Sequence, residues 1–381
     1  MAQIRVQNLH KAFADFVAVK DSTFTVNDGE FFCLLGPSGC GKTTTLRMIA
    51  GLELPTSGEI FLGDEDVTFK RASHRDIAFV FRLFALYPHL NVRRNIAFPL
   101  VSQGVPRDQI AAKVAEAARI LRIEHLLDKP VSGLSSGDRQ RVALGRAIVR
   151  QPLAFMMDEP LGALDSEFRE LMCQELRALH DRLHATTVYV THDQLEAMAM
   201  ADTIAIMNQG VIEQLGAPQQ VYDHPASVFV ADFIGSPSMN FVPLPGGYTA
   251  GARQLRLGES MLAVPELRED ASGAQLLYGV RPEHVHFSAE SSLRAEVLGA
   301  EYLGSSQIVT CRLAQGTTLR ARVAPDVMAH RGDQLGLVFD AGQVSLFDAA
   351  SGRALRTARD GHTATLTRAP RTSAVLGAGH G

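Results

Sequence analysis

The sequence predicts an α/β unit built on a parallel sheet, followed by a smaller all-β unit. Three observations carry this. Continuous apolar runs alternate with helical stretches over residues 1–235, and a glycine-rich loop at Gly36–Thr43 joins one such run to a helix. Near Gly235-Ser236-Pro237 helical periodicity stops, and short β-like runs with frequent Gly and Pro take over. Strand and helix in alternation imply parallel strands joined by right-handed crossovers.

Ile4–Leu9 alternates as a half-buried strand, whereas Phe31–Leu35 is apolar throughout and closed by Gly36, the pattern of a strand covered on both faces. Ile77–Phe81, Leu153–Met157, Thr187–Val190 and Ile204–Met207 repeat that pattern. Helical stretches lie between them at Thr43–Ala50, Arg107–Leu121, Asp138–Val149, Glu167–Leu183 and Gln194–Met200. In the second part the runs Leu276–Val280, Val285–Phe287, Gln307–Leu313, Thr318–Val323 and Gln334–Phe339 suggest a small barrel or sandwich. The expected domains are therefore 1–235 and 236–350. Residues 351–381 are rich in Ala, Thr, Gly and Arg, with five Arg against one Asp, and read as a disordered basic tail.

At ~150 residues per domain, 381 residues make two to three domains. A net charge of −4, 46% hydrophobic and 20% charged residues exclude a disordered chain, a collagen and a disulfide scaffold. No basic excess points to nucleic acid. No apolar run reaches the ~18–20 residues that span a bilayer, and Met1–Phe13 lacks the apolar middle of a signal peptide. The expectation is a soluble cytoplasmic chain. Cys33, Cys40, Cys173 and Cys311 are far apart, as in reduced cytosolic thiols, and the 13 His form no metal-binding spacing.

Gly36-Pro37-Ser38-Gly39-Cys40-Gly41-Lys42-Thr43 fits the Walker A pattern in full, after a strand and at the start of a helix. Its glycines let backbone N–H groups turn inward around phosphates, and the helix N-terminus adds partial positive charge. Lys42 is expected to reach the β- and γ-phosphates, Thr43 to offer its hydroxyl to Mg²⁺, and Thr44 to line the same site. Phe155-Met156-Met157-Asp158-Glu159 is an apolar strand ending in two carboxylates. Asp158 suits Mg²⁺ held through water, and Glu159 suits polarisation of an attacking water. To this point the reading is a P-loop NTPase binding ATP and Mg²⁺; a transporter motor, a kinase and a GTPase all remain open.

Leu134-Ser135-Ser136-Gly137-Asp138-Arg139-Gln140-Arg141 resembles the signature motif of ABC-type ATPases and the start of the helix that follows it. The other family elements resemble it in order. Phe13 falls where the family stacks an aromatic on adenine, Gly162-Ala163-Leu164-Asp165 looks like the D-loop, and Thr191-His192-Asp193 looks like the switch, with His192 on the γ-phosphate. The resemblance implies an ABC ATPase with a helical signature subdomain. It also implies that Ser135, Ser136, Gly137, Asp138 and Asp165 act across a dimer interface. Ala85–Val92 resembles the importer segment that receives a coupling helix from a membrane subunit. Ala231–Phe241 and Gly279–His284 resemble the C-terminal, OB-like regulatory extension of importer ATPases of the maltose and glycerol-3-phosphate type. The implied partners are a second ATPase subunit (a homodimer or a heterodimer), two membrane-spanning permeases and, indirectly, a solute-binding protein. The implied place is the cytoplasmic face of the cell membrane.

Two positions depart from the family pattern. Arg82 stands where the Q-loop glutamine is usual, and Asp138, beside Ser136, stands where the signature glutamine is usual. Arginine has five donors and no acceptor, so Arg82 cannot ligate a metal but can pair with a phosphate oxygen. A carboxylate near the γ-phosphate is repulsive unless neutralised. Three readings stay open: drift in a tolerant subfamily, charge compensation between Arg82 and Asp138 across the dimer, and a heterodimer in which this site is weak. The leading function is energy coupling in an importer for a sugar, polyol or glycerol phosphate. The alternatives are import of a polyamine or another small solute, a nucleotide-binding regulator without productive hydrolysis, and a soluble repair or translation ATPase. The last is disfavoured by the single Walker A and the lack of heptads.

Overall fold

The computed structural model describes residues 2–360 apart from Ala163 and Asp165. The chain forms two units: one runs to Asp223 and takes in Phe233–Gly235, and the other holds His224–Asp232 and the chain from Ser236 onward.

In the first unit a six-stranded sheet carries the strands in the spatial order Val211–Gly216, Thr203–Asn208, Phe31–Leu35, Thr186–Thr191, Ala154–Asp158, Ile77–Val80. All are parallel to their neighbours except the edge strand Val211–Gly216. Phe31–Leu35 is buried at every residue because both of its faces are covered, as its unbroken apolar run requires. Apart from Ile4–Leu9, which runs on to Phe13, the expected strands and helices of this unit recur within one or two residues: the helices are Lys42–Ile49, Arg107–Ile120, Ser136–Ile148, Ser166–Leu183 and Gln194–Met200. Register then determines the site. Leu35 pairs with Thr191, Asp158 with Val190, and Val80 with Met157, so the segments after these strands emerge along one sheet edge. Ligands bind at such carboxyl ends in open α/β sheets.

Some elements were not anticipated. Ile4–Phe13 is flanked by Phe16–Val26 and Ser57–Leu62, and with Glu65–Asp66 these make a separate antiparallel sheet. Val92–Ser102 is a helix despite Pro99, with Asn91 as its N-cap accepting the Arg94 N–H at 2.9 Å.

The second unit is all antiparallel: a five-stranded sheet containing the expected Val285–Phe287, Gln307–Leu313, Thr318–Val323 and Gln334–Phe339, a three-stranded sheet containing Gln275–Val280, and the hairpin Gln254–Leu257/Ser260–Ala263. Its core includes Val242, Tyr278, Val297, Val309 and Leu346. The chain divides between Gly235 and Ser236, and one earlier segment also changes unit. Residues 224–232 belong with the second unit, because Val228 N–H donates to Gly352 O at 2.8 Å and Ala231 packs with Met239 and Phe347. The expected disordered tail from Ser351 is also corrected in part. Residues 351–360 are folded: Leu355 N–H donates to Leu346 O at 2.7 Å, and the Arg353 and Arg356 guanidiniums pair with Glu269 at 2.9 and 3.5 Å. Residues 361–381 lie outside the described residues.

Candidate nucleotide site

The loop Gly36–Thr43 joins Phe31–Leu35 to the helix Lys42–Ile49. Its glycines answer to close packing. A Cβ at Gly36 would run into the Met207 carbonyl, and Gly41, at φ 106°, lies against the Ala18 carbonyl. Lys42 is buried, and its Nζ donates to the Gly36 and Pro37 carbonyls at 2.8 and 2.9 Å, with Cys40 Sγ at 3.8 Å. Burial pushes the Cys40 thiol up, against the opposing pull of Lys42, which fits a neutral thiol under the loop. All four cysteines are buried and unpaired.

Thr43 Oγ1 donates to Asp158 Oδ1 at 2.8 Å. That bond brings together the two residues expected to hold a metal. A hydroxyl and a carboxylate side by side are an oxygen donor set suited to a hard divalent cation. Burial raises the Asp158 carboxyl above its ordinary value, outweighing the Thr43 hydrogen bond, and a bound cation would reverse that shift.

Glu159 follows at φ 44°, in the left-handed region, with its N–H donating to Val190 O at 3.0 Å. The turn aims its carboxylate between two side chains. His192 Nδ1 is 3.4 Å from Oε1, and Arg82 NH1 is 3.2 Å from Oε2. Oε2 makes no directed hydrogen bond, so the Arg82 contact is one of charge. Arg82 thus has a partner within its own chain, and that partner is not Asp138.

Asp138 also has local partners. Ser135 is the N-cap of Ser136–Ile148: its Oγ accepts the Asp138 N–H at 3.2 Å and donates to Asp138 Oδ2 at 2.8 Å. Ser-x-x-Asp is a helix-start spacing legible in the sequence, and the acid suits the positive end of the helix. Arg141 NH1 lies 3.9 Å from Asp138 Oδ1 while its Nε and NH2 bind Glu175. Gly137 has a packing role as well, since a Cβ there would collide with the Phe168 ring. Phe13 is 43% exposed, with Lys11 Nζ 4.6 Å from its ring centroid. Asp165 lies outside the described residues.

Three residues that sequence reasoning passed over organise the site's surroundings. Arg169 donates to Leu164 O at 2.9 Å and to Asp193 Oδ2 at 3.0 Å, tying the segment after Glu159 to the residue after His192. Arg146 donates to Ala85 O and Phe84 O at 2.7 and 2.9 Å, and Asn95 holds Tyr87 from the other side. Ala85–Val92 is therefore a pinned loop that presents Tyr87 against Phe98, with ring centroids 4.3 Å apart. Side chains that cap backbone groups far away in sequence leave no local pattern to read.

Comparison with known proteins agrees with this geometry. An ABC transporter family model matches residues 19–162, and a TOBE domain model matches residues 278–347. A trehalose/maltose import ATP-binding protein from Thermococcus litoralis is 46% identical, covering 93% of this chain and all of the relative. An sn-glycerol-3-phosphate import ATP-binding protein from Cereibacter sphaeroides is 43% identical over the same shares. A trehalose import ATP-binding protein from Mycobacterium tuberculosis is 44% identical, covering 92% of this chain and 98% of the relative. Among solved structures, the cbiO1 protein of Clostridium perfringens superposes with a TM-score of 0.54 at 28% identity, over 57% of this chain and 89% of that one. The dimeric bacterial ABC transporter cassette MJ0796 gives 0.51 at 29%, over 56% and 98%. A strand-borne phosphate loop, an acidic strand end beside it, a capped signature helix and relatives matched along nearly their whole length lead to one conclusion: the chain belongs to the family of ATP-binding subunits of ABC transporters, in the branch with a C-terminal TOBE domain.

Proposed function

We propose that this chain is the ATP-hydrolysing, energy-coupling subunit of an ABC importer for a sugar, polyol or glycerol phosphate. The observation that carries the reading is the 2.8 Å bond from Thr43 to Asp158, which joins the phosphate loop to the acidic strand end, in a chain so similar to import ATP-binding proteins. The loop Gly36–Thr44 receives the phosphates through its N–H groups, and Lys42 exchanges the Gly36 and Pro37 carbonyls for phosphate oxygens. Phe13 offers its exposed ring to the adenine. Thr43 and Asp158 would hold Mg²⁺, which when bound neutralises phosphate charge and orients the transferring group. Glu159 polarises the attacking water, and His192 steadies its carboxylate and reaches the γ-phosphate.

Ser135, Ser136, Gly137 and Asp138, at the N-terminus of the signature helix, act with Asp165 on the nucleotide of a second ATPase subunit, in a homodimer or an ABC ATPase heterodimer. Closure of that dimer is passed through the Ala85–Val92 loop to two membrane-spanning permeases fed by a solute-binding protein. The subunit sits on the cytoplasmic face of the membrane, and the OB-like unit helps hold the dimer. No described helix is long and apolar enough to cross a membrane.

The test is Glu159→Gln. It should bind ATP normally and lose about 10²–10⁴-fold in turnover, the usual worth of a positioned base. Near-normal turnover would assign the base elsewhere. Uptake of labelled disaccharides, polyols and glycerol phosphate by a deletion strain identifies the solute, and no loss of any of these would point to polyamines.

A further inference from the structure

Arg82 reaches Glu159 because of strand register. Val80 pairs with Met157, so two residues further along each strand the side chains of Arg82 and Glu159 meet at the sheet edge. The pair is lopsided: the Glu159 side chain is 13% exposed and that of Arg82 is 59% exposed, with NH1 3.2 Å from the carboxylate. A guanidinium has five N–H donors in a rigid fork. Here the fork leans over the segment after Glu159, where a Cβ built on Gly162 would lie 3.7 Å from Arg82 Nε. It thus stands beside the carboxylate read as the base, with its side chain more than half exposed.

We propose that Arg82 is the residue by which this site tells a nucleoside triphosphate from a diphosphate: its guanidinium bridges the Glu159 carboxylate and an oxygen of the γ-phosphate. The inference rests on the reading of Lys42 and Glu159 given above. Water polarised by Glu159 must lie between that carboxylate and the γ-phosphorus, so two anions are brought close together in a partly buried place. Their repulsion is strong there, and a planar cation able to donate to both is a direct way to relieve it. A glutamine at this position would offer a neutral carbonyl and leave the repulsion to the metal. A diphosphate has no γ-oxygen to offer and leaves Arg82 on Glu159 alone.

The experiment is calorimetric binding of ATP and of ADP to the full-length protein in EDTA, where hydrolysis is off and no metal masks the anions. Wild type, Arg82→Gln, Arg82→Lys, Glu159→Gln and the Arg82→Gln/Glu159→Gln double variant are compared. A charge-assisted contact implies that Arg82→Gln weakens ATP by about tenfold or more while ADP affinity stays within about twofold, which also verifies the fold. Arg82→Lys should recover part of the ATP affinity by keeping the charge. In the Glu159→Gln background the Arg82→Gln penalty should shrink, because one of the bridged anions is gone. An unchanged ATP-to-ADP ratio, an equal loss for both nucleotides, or the same penalty in both backgrounds would each overturn the bridge. Failure of the underlying site reading looks different: Lys42→Ala would bind both nucleotides as wild type does, or Glu159→Gln would hydrolyse Mg-ATP at the wild-type rate.

Discussion

Asn95 is fully buried, and its amide is spent on the loop Ala85–Val92. Its Oδ1 accepts the Tyr87 N–H at 2.8 Å, and its Nδ2 donates to the carbonyls of Tyr87, Leu90 and Asn91 at 3.1, 3.1 and 3.0 Å. Asn95→Ala removes all four contacts and leaves the part-buried Tyr87 N–H and the Leu90 carbonyl without partners, while the Tyr87 and Asn91 carbonyls keep the Leu90 and Asn95 N–H groups. At about 0.5–1.5 kcal/mol per bond, and less than additive because the three carbonyls share two hydrogens, the loss is about 3 kcal/mol. At about 1.4 kcal/mol per tenfold, the loop's local opening constant rises roughly a hundredfold. Hydrogen–deuterium exchange read by mass spectrometry on the full-length protein measures this directly. Peptides covering residues 83–91 should lose about two orders of magnitude in protection, while those covering Gly36–Thr43 keep theirs. Asn95→Asp, which retains the acceptor for Tyr87 but loses the donors, should fall between. A change below about threefold at the Tyr87 amide, or an equal loss along the whole chain, would refute the idea that one amide pins this loop.

The other predictions concern the flanks of the site. Gly137→Ala drives a methyl into the Phe168 ring and should cost about 1–3 kcal/mol, seen as a lower Tm, with Phe168→Leu recovering part of it; an unchanged Tm would show that Gly137 is there for phosphate alone. Burial raises the Glu196 carboxyl above its ordinary 4.5, although Tyr189 OH and Thr191 Oγ1 donate to it at 2.8 and 2.7 Å. The folded chain therefore holds this proton more tightly than the unfolded chain, and the group's contribution to stability declines as pH rises from the ordinary value through the raised one. Glu196→Gln keeps an acceptor oxygen for both hydroxyls, so its Tm relative to wild type should climb as pH rises above the ordinary carboxylate range; a difference that stays flat or falls would mean that Glu196 ionises freely.

Much of the fold was legible because its signals are local. The five buried parallel strands announce themselves as unbroken apolar runs, and the Gly36–Thr43 loop as a full motif. The antiparallel sheet around Ile4–Phe13 was not legible. Phe16–Val26 is half exposed and punctuated by Lys20 and Asp21, so its pairing depends on partners far away in sequence. The tail from Ser351 was misread for a related reason: Ala, Thr and Arg carry little hydrophobic signal, yet Glu269 and the Leu346 carbonyl hold the segment to Asp360. At the site, residue identities were legible and pairings were not. Arg82 and Asp138 stood out as departures, but only strand register revealed Glu159 as the partner of the first, and only the helix cap accounted for the second.

The left-handed turn at Glu159 has a consequence for how this position changes over time. An L-residue held at φ 44° gives up about 1–2 kcal/mol that glycine would keep. Replacing Glu159 by glycine would therefore relax the backbone while removing the carboxylate. With Glu159 as the base proposed above, stability and turnover pull on this residue in opposite directions, and demand for hydrolysis is what keeps the carboxylate. In a lineage released from that demand, a glycine at position 159 would ease the backbone.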